Sequence, residues 1–184
     1  MIQVRSSVFE TNSSSTHSIA IPRSSGFPNY MSFNIGEFGW SFDEVDATDY
    51  FYTALYTTSE TMEELEEKME RLKNILRSYD IEADFAYVEC EERNGWLDHS
   101  GYIDHGYELK DFVDELLNNG DKLVRFLSGG LVFTGNDNSE SNGFITRNEE
   151  FIENYDWRSR TYYKERNPYY MSNCDDYEWH YKGN

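Results

Sequence analysis

The spacing of apolar residues predicts three helices. The clearest begins after Thr61, where apolar side chains recur every three or four residues and acids crowd the first turns. Its apolar positions are Met62, Leu65, Met69, Leu72, Leu76 and Tyr79. Thr61 and Glu64 fit a capping box, in which a hydroxyl and a carboxylate bond the free backbone N–H groups at a helix start. A second helix is predicted over 108–119, ended by Gly120, and a third one over 43–58.

Short apolar runs and alternating patterns predict strands between and after these helices. Strands are expected over 2–9, 17–22 and 81–90, the last half-buried and antiparallel to its neighbour. Residues 122–135 are typical of a strand, a Ser-Gly-Gly turn and another strand. The C-terminal residues favour a short helix over 149–155, followed by an irregular or edge segment.

Together these elements predict an α+β fold, with a mostly antiparallel sheet covered by two or three helices. A chain of 184 residues is expected to form one domain, residues 1–184. Within it we distinguish an acidic helical middle over 41–120 and an aromatic-rich C-terminal segment over 150–184. The 17% aromatic content argues for a folded chain rather than a disordered acidic one.

Charge is distributed unevenly along the chain. The net charge is −19, and residues 37–120 alone carry 23 acids and 6 bases, a net −17. Such a field repels nucleic acid and anionic membranes and attracts basic surfaces, so neither direct nucleic-acid binding nor membrane binding is expected. The ordinary alternative is that the acids form a solubilising surface.

The sequence also predicts a compartment. No apolar run approaches the roughly 20 residues of a membrane span, and the first residues lack the apolar region of a secretion signal. Cys90 and Cys174 are too few and too far apart to suggest a disulfide framework, and we expect free thiols. A cytoplasmic protein is therefore expected.

Local enzyme motifs are missing from the sequence. It contains no phosphate-binding loop, no dinucleotide fingerprint, no G-x-S-x-G and no H-E-x-x-H. Enzyme classes that depend on such motifs are disfavoured, and the primary expectation is a protein without enzymatic activity.

One segment nearly repeats itself, since GWLDH at 95–99 is followed by GYIDH at 101–105. Imidazole nitrogen and thiolate sulfur are the usual ligands of zinc, with carboxylates as further ligands or as partners of the imidazoles. The candidate ligands of a structural zinc ion are His17, Cys90, His99, Asp104 and His105. The competing interpretation is a turn held together by Asp and His hydrogen bonds, because the spacing is not a standard zinc spacing.

Three sequence blocks together resemble a widespread family of small phage and mobile-element proteins. They are FETNSSSTHSI at 9–19, GYIDH at 101–105 and TGNDN at 134–138. The resemblance implies that Asp104 and His105 are the functional pair, that GWLDH is a local addition, and that His17 is also important. Apart from the resemblance, the side-chain oxygens of TGNDN at 134–138 could bind a hard cation, although the residue pattern favours a turn.

The size and acidity are also similar to those of phage anti-CRISPR proteins, which block type II effector nucleases. This likeness implies an inhibitor that occupies the basic nucleic-acid channel of the nuclease, in the host cytoplasm, and blocks nucleic-acid loading. The acids expected to make the contact are Glu60, Glu63, Glu64, Glu66, Glu67, Glu70, Asp111, Asp114 and Glu115. Trp40, Tyr50, Tyr52 and Trp96 are expected as surface aromatic anchors.

Two other functions stay open at the level of sequence. The first is a metal-dependent hydrolase that uses His17, Asp104 and His105, with a water molecule on an open metal position. The second is an interaction or virion-accessory module whose acids are only solvated. A metal closed by four protein ligands would distinguish a structural site from a catalytic one.

Overall fold

The computed structural model describes residues 15–40, 43–93, 96–136 and 149–182. The helices of this part of the chain are α1 (Ala47–Thr57), α2 (Met62–Ser78), α3 (Lys110–Asn118) and α4 (Gly120–Gly129), with short 3-10 helices at Gly106–Leu109 and Cys174–Asp176. Its strands are β1 (Ser15–Pro22), β2 (Tyr30–Phe33), β3 (Glu37–Phe38), β4 (Asp43–Val45), β5 (Glu82–Phe85), β6 (Cys90–Arg93), β7 (Trp96–His99), β8 (Tyr102–Ile103), β9 (Leu131–Asn136), β10 (Phe151–Asp156), β11 (Thr161–Arg166) and β12 (Tyr177–Lys182). The strand expected over 2–9 lies outside the described residues.

The main sheet is antiparallel and has the strand order β12-β1-β9-β4. The remaining strands form four pairs: β6 with β7 and β10 with β11 are antiparallel, whereas β2 with β5 and β3 with β8 are parallel. The α+β fold with mostly antiparallel strands is therefore confirmed.

Helix α1 lies at the centre of the hydrophobic core. It contacts the other three helices as well as β2, β8 and β9, and most of its side chains are buried. Asp46 caps its start by accepting a hydrogen bond from the backbone N–H of Thr48 at 3.0 Å. The hydroxyl of Tyr52 donates to the backbone oxygen of Ala86 at 2.8 Å, so this ring enters the core with its polar end satisfied.

Helix α2 follows the predicted pattern closely. Leu65, Leu72 and Leu76 are buried, and the hydroxyl of Thr61 accepts a hydrogen bond from the backbone N–H of Glu64 at 3.2 Å. The carboxylate of Glu64 accepts from the N–H of Glu60 instead of from that of Thr61. The capping box is thus present with its second hydrogen bond shifted by one residue.

The prediction for residues 122–127 was wrong, because this segment is the middle of α4 and not a strand. Asn119 caps α4 by accepting from the N–H of Lys122 at 3.1 Å, so Asn119 ends α3 and Gly120 is the first residue of α4. Leu123, Val124 and Leu127 fall on one buried face at helical spacing. The predicted strand after the Gly-Gly pair is confirmed as β9.

Two further predictions require correction. Strand β5 pairs with β2 in parallel, and the expected antiparallel partner is not its neighbour. The helix expected over 149–155 is the strand β10, whose residues alternate poorly but pair in register with β11. The expected edge segment is confirmed, since β12 forms one edge of the main sheet. None of the described helices has the length and apolarity needed to cross a bilayer.

Candidate functional site

The acids of α2 form a continuous exposed stripe. Glu63, Glu66, Glu67 and Glu70 are exposed and are separated by three or four residues, so they lie on one face of the helix opposite the buried leucines. We call this set the acidic stripe. Acids at positions i and i+4 repel each other, and each such pair costs a helix about 0.2–0.5 kcal/mol. The stripe therefore exists against a small cost in helix stability.

Little positive charge lies near the acidic stripe. Within the described chain, no Lys, Arg or His nitrogen lies within 4 Å of a carboxylate oxygen of Glu63, Glu66 or Glu67. Glu70 lies 3.4 Å from Arg77, but both side chains are more than half exposed. Exposed pairs of this kind contribute about 0–1 kcal/mol. The stripe thus presents nearly its full negative charge to solvent.

The other acids expected at the contact surface are in part neutralised by nearby cations. Glu60 and Glu64 lie 3.5 and 3.4 Å from Lys110, and Glu64 is also 2.9 Å from Lys68. Although partial burial raises it, the net effect of the Glu60 N–H and of these ammonium groups is to lower the pKa of Glu64. These acids stabilise the start of α2 as well as contributing charge.

The acids of α3 border a cleft. Asp111 and Glu115 line it together with Glu108, Phe112 and His180, and its volume is about 300 Å³. The ammonium of the buried Lys122 lies 2.7 Å from Glu115, which lines the cleft, and 2.5 Å from Glu178. Burial opposes protonation, but the hydrogen bonds to these two carboxylates raise the pKa of Lys122. Asp114 is half-buried on the same helix.

His17 lies at the point where the three sequence blocks meet. It pairs with Thr134 between β1 and β9, which joins the first block to the third. Its Nε2 lies 3.3 Å from the backbone oxygen of Asp104 in the second block. Its Nδ1 lies 3.0 Å from the hydroxyl of Tyr50, and the side chains of both residues are fully buried. Described residues of the three blocks therefore lie close together around His17, whereas residues 9–14, Asp137 and Asn138 lie outside the described chain.

The two copies of the Asp-His dipeptide have different structures. Asp98 and His99 belong to β7, where His99 faces Cys90 and Asp98 faces Glu91 across a hairpin. His105, by contrast, adopts a left-handed conformation with φ of 53° after β8 and precedes the 3-10 helix. Its side chain is 46% exposed, with Nδ1 3.7 Å from Glu108. The same Asp-His dipeptide therefore lies in a strand in the first copy and in a turn in the second.

The expected zinc ligands separate into smaller groups. Cys90 and His99 are cross-strand neighbours. The imidazole of His17 contacts the backbone oxygen of Asp104, and the imidazole of His105 lies beside the carboxylate of Glu108. In the described ranges, no group of three or more His, Cys, Asp or Glu side chains is arranged to hold a metal ion. Burial lowers the pKa of His99, and burial together with the charge of Asp98 raises the pKa of the Cys90 thiol. Both shifts favour a neutral imidazole beside a neutral thiol.

The aromatic anchors expected at the surface differ in position. Trp40 is 60% exposed and stacks on Tyr102, whereas Tyr50 and Tyr52 are core residues with at most 2% exposure, so their prediction as surface anchors was wrong. The side chain of Trp96 lies outside what the structure describes. The hydrogen bond of Tyr50 to His17 was not predictable from the sequence, since nothing local distinguishes a tyrosine that bonds a buried histidine.

Comparison with known proteins adds no further constraint on function: no protein-family model, curated protein or solved structure matches the chain.

Proposed function

We propose that this protein acts without catalysis, by binding a basic protein that handles nucleic acid, and that the acidic stripe is the centre of the contact. The observation that carries the proposal is the row of exposed carboxylates at Glu63, Glu66 and Glu67, none within 4 Å of a cation in the described chain. A helix face that concentrates unpaired acids at a cost in stability is typical of a surface kept for electrostatic complementarity.

The target class that size and acidity favour is the type II RNA-guided nuclease of a host cell. Such a nuclease holds its heteroduplex in a positively charged channel, and a row of carboxylates can occupy the positions of backbone phosphates. The protein would then meet its target in the host cytoplasm and block nucleic-acid loading as an anti-CRISPR-type inhibitor.

The hydrolase alternative gains no support from the described contacts. A catalytic imidazole must reach a substrate or a metal-bound water, whereas the ring of His17 is fully buried with both nitrogens facing protein atoms. His105 is exposed, and its nearest carboxylate is that of Glu108 and not that of Asp104.

The test compares two variants with the same change in net charge. One reverses the acidic stripe (Glu63→Lys, Glu66→Lys, Glu67→Lys, Glu70→Lys), and the other reverses four exposed acids elsewhere (Glu149→Lys, Glu150→Lys, Asp175→Lys, Asp176→Lys). Binding to a guide-loaded type II nuclease is measured by biolayer interferometry, and the folding of each variant by circular dichroism.

We expect the stripe variant to lose binding while the matched variant retains it, because the contact is local. Association of the native protein should also slow as salt is added, since steering by charge is screened. Equal binding by both folded variants, or no binding by the native protein, would contradict the proposal for this target.

A further inference from the structure

The turn and the second strand of the hairpin formed by β10 and β11 are basic, in contrast to most of this acidic protein. Residues 157–166 contain four bases and one acid, and the whole hairpin over 151–166 contains four bases and three acids, although acids outnumber bases 35 to 16 in the whole chain. The bases are Arg158, Arg160, Lys164 and Arg166, and all four side chains are exposed. A local excess of exposed cations is therefore present on a protein of net charge −19.

These four cations differ from most of the other described bases in their contacts; Arg23, Arg71 and Lys73 also lack a nearby carboxylate but contact a backbone oxygen, an amide oxygen and an aromatic ring. Lys68, Arg77, Arg93, Lys110, Lys122 and Arg125 each lie within 4 Å of a carboxylate oxygen. By contrast, no carboxylate of the described chain lies within 4 Å of any of the four hairpin cations, even though Glu153 is directly opposite Lys164. Their charge is available to an anion from outside.

Aromatic rings share the face that carries two of these cations. In the hairpin register Tyr155 is opposite Tyr162, and Phe151 is opposite Arg166. Residues two apart on a strand lie on the same face, so Tyr162 shares this outer face with Lys164 and Arg166. The opposite face contains the buried Ile152.

The rings form a connected and exposed row. The ring centroids of Trp157 and Tyr155 are 4.8 Å apart, and those of Tyr155 and Tyr162 are 4.9 Å apart. Trp157 is 83% exposed and Tyr162 is 70% exposed. Exposed aromatic rings are one component of a surface that binds single-stranded nucleic acid, because unpaired bases stack on them. Cations without a nearby carboxylate are the other component, because they bind the phosphates.

We propose that the outer face of this hairpin and its turn, with the rings of Trp157, Tyr155 and Tyr162, the two cations of that face and the two arginines of the turn, bind single-stranded nucleic acid. The rings stack on unpaired bases, and the cations neutralise phosphates along the strand. In a duplex the base faces are stacked on one another and cannot stack on the aromatic side chains. We therefore expect the hairpin to bind single strands more tightly than duplexes. The proposal goes beyond the function proposed for the acidic stripe and departs from the expectation, drawn from net charge, that no nucleic acid is bound directly.

A second copy of the chain fits this surface less well. Its acidic stripe could pair with the arginines, but the stripe contains only glutamates and offers no ring or apolar side chain to the exposed aromatics. At physiological salt the Debye length is about 8 Å, which screens a strand on the hairpin from distant acids.

The experiment measures fluorescence anisotropy of labelled oligo-dT and oligo-U, each about 15 nucleotides long, on titration with the full chain. A duplex of the same length serves as the comparison. We expect dissociation constants of roughly 10⁻⁶ to 10⁻⁴ M at physiological salt, the range of contacts without sequence preference. Trp157→Ala should weaken binding at least about fivefold. Lys164→Gln with Arg166→Gln should reduce the slope of log K against log salt by about 1.4, since each phosphate contributes about 0.7.

The control variants remove an exposed indole and an exposed base elsewhere, Trp40→Ala and Arg77→Gln, and should leave binding unchanged. Circular dichroism confirms that each variant is folded. Absence of binding to either single strand, or binding that the hairpin variants do not alter, would overturn the proposal. Concentration-dependent self-association that disappears in the hairpin variants, without oligonucleotide binding, would assign the surface to a second copy and overturn it as well.

Discussion

His17 and Tyr50 are joined by a hydrogen bond of 3.0 Å between Nδ1 of the imidazole and the phenolic hydroxyl, and both side chains are fully buried. If Nε2 carries the proton and donates to the backbone oxygen of Asp104, Nδ1 is left to accept from Tyr50. One tautomer therefore satisfies both contacts. The arrangement ties together β1, α1 and the turn after β8.

Removing the hydroxyl of Tyr50 should destabilise the protein. Tyr50→Phe keeps the ring but removes the donor to Nδ1 of His17 in a site without access to solvent. We expect the free energy of unfolding to fall by about 1–3 kcal/mol. Urea denaturation followed by circular dichroism measures the change. Tyr107→Phe alters an exposed tyrosine and should stay within about 0.5 kcal/mol of the native protein. Equal losses in the two variants would show that the hydrogen bond contributes nothing.

Gly106, at the end of the GYIDHG segment, should not accept a side chain. A Cβ at this position would lie 2.6 Å from Cγ2 of Thr57 and 2.9 Å from Cβ of Ile103, and the second atom cannot rotate away. Gly106→Ala is expected to cost about 1–3 kcal/mol through forced displacement of packed atoms. Gly26 has no atom within 4 Å of the same position, so Gly26→Ala should be neutral or slightly stabilising. Thermal unfolding of both variants tests the contrast.

Stability should decrease on mild acidification because of His99. Burial lowers the pKa of this imidazole, against the opposing charge of Asp98, whereas the unfolded chain keeps a value near 6.5. The unfolded state therefore binds the proton more readily. The contribution of the neutral His99 to the free energy of unfolding is complete above about pH 6.5, and it is lost as the pH falls towards the pKa of His99 in the folded protein.

Urea midpoints measured between about pH 7.5 and pH 5 should fall in the native protein and fall less in His99→Gln. His180 contributes in the same direction, because burial and then the charge of Lys122 lower its pKa. The carboxylates of lowered pKa, Glu64 and Glu178, act in the acid range below about pH 4.5 and do not enter this window. A native midpoint independent of pH in the window would contradict the prediction.

Lys68 should be important for the fold despite its position on an acidic helix. Its ammonium is buried and donates to the backbone oxygen of Thr58 at 2.9 Å, with Glu64 at the same distance. Lys68→Met preserves the volume but removes the donor, and we expect a loss of about 1–3 kcal/mol. Lys73→Met, which loses a cation–π contact to Phe85 at 5.7 Å, should cost about 0.5–1 kcal/mol or less in the same assay.

The sequence predicts those parts of the fold that depend on local signals. Helix α2 was visible because its cap and its leucines lie within a few residues of one another, and β9 because a Gly-Gly pair precedes it. Helix α4 was missed because its cap, Asn119, also ends α3, and because Val124 and Phe126 suit a strand equally well. The parallel partner of β5 is β2, and no local pattern encodes a pairing across that distance.

The candidate sites likewise divide into one that local sequence signals predict and one that depends on the fold. The acidic stripe follows from helical spacing alone, so it could be predicted as soon as α2 was. The hairpin face could not, since its register depends on a turn in which Arg160 adopts a left-handed conformation with φ of 57°, a position where glycine is the usual signal. The burial of Tyr50 and Lys68 depends on partners from other elements.

The pairing of β1 with β12 has a consequence for the synthesis of the protein. Among the described strands, β1 emerges first from the ribosome, yet one of its two neighbours, β12, is the last of them to be translated. During translation one edge of β1 therefore has no partner, and unpaired edges are sites of aggregation. We expect chains that are released before β12 is synthesised to aggregate or be degraded. The reason is that the described main sheet is complete only once β12 has paired with β1.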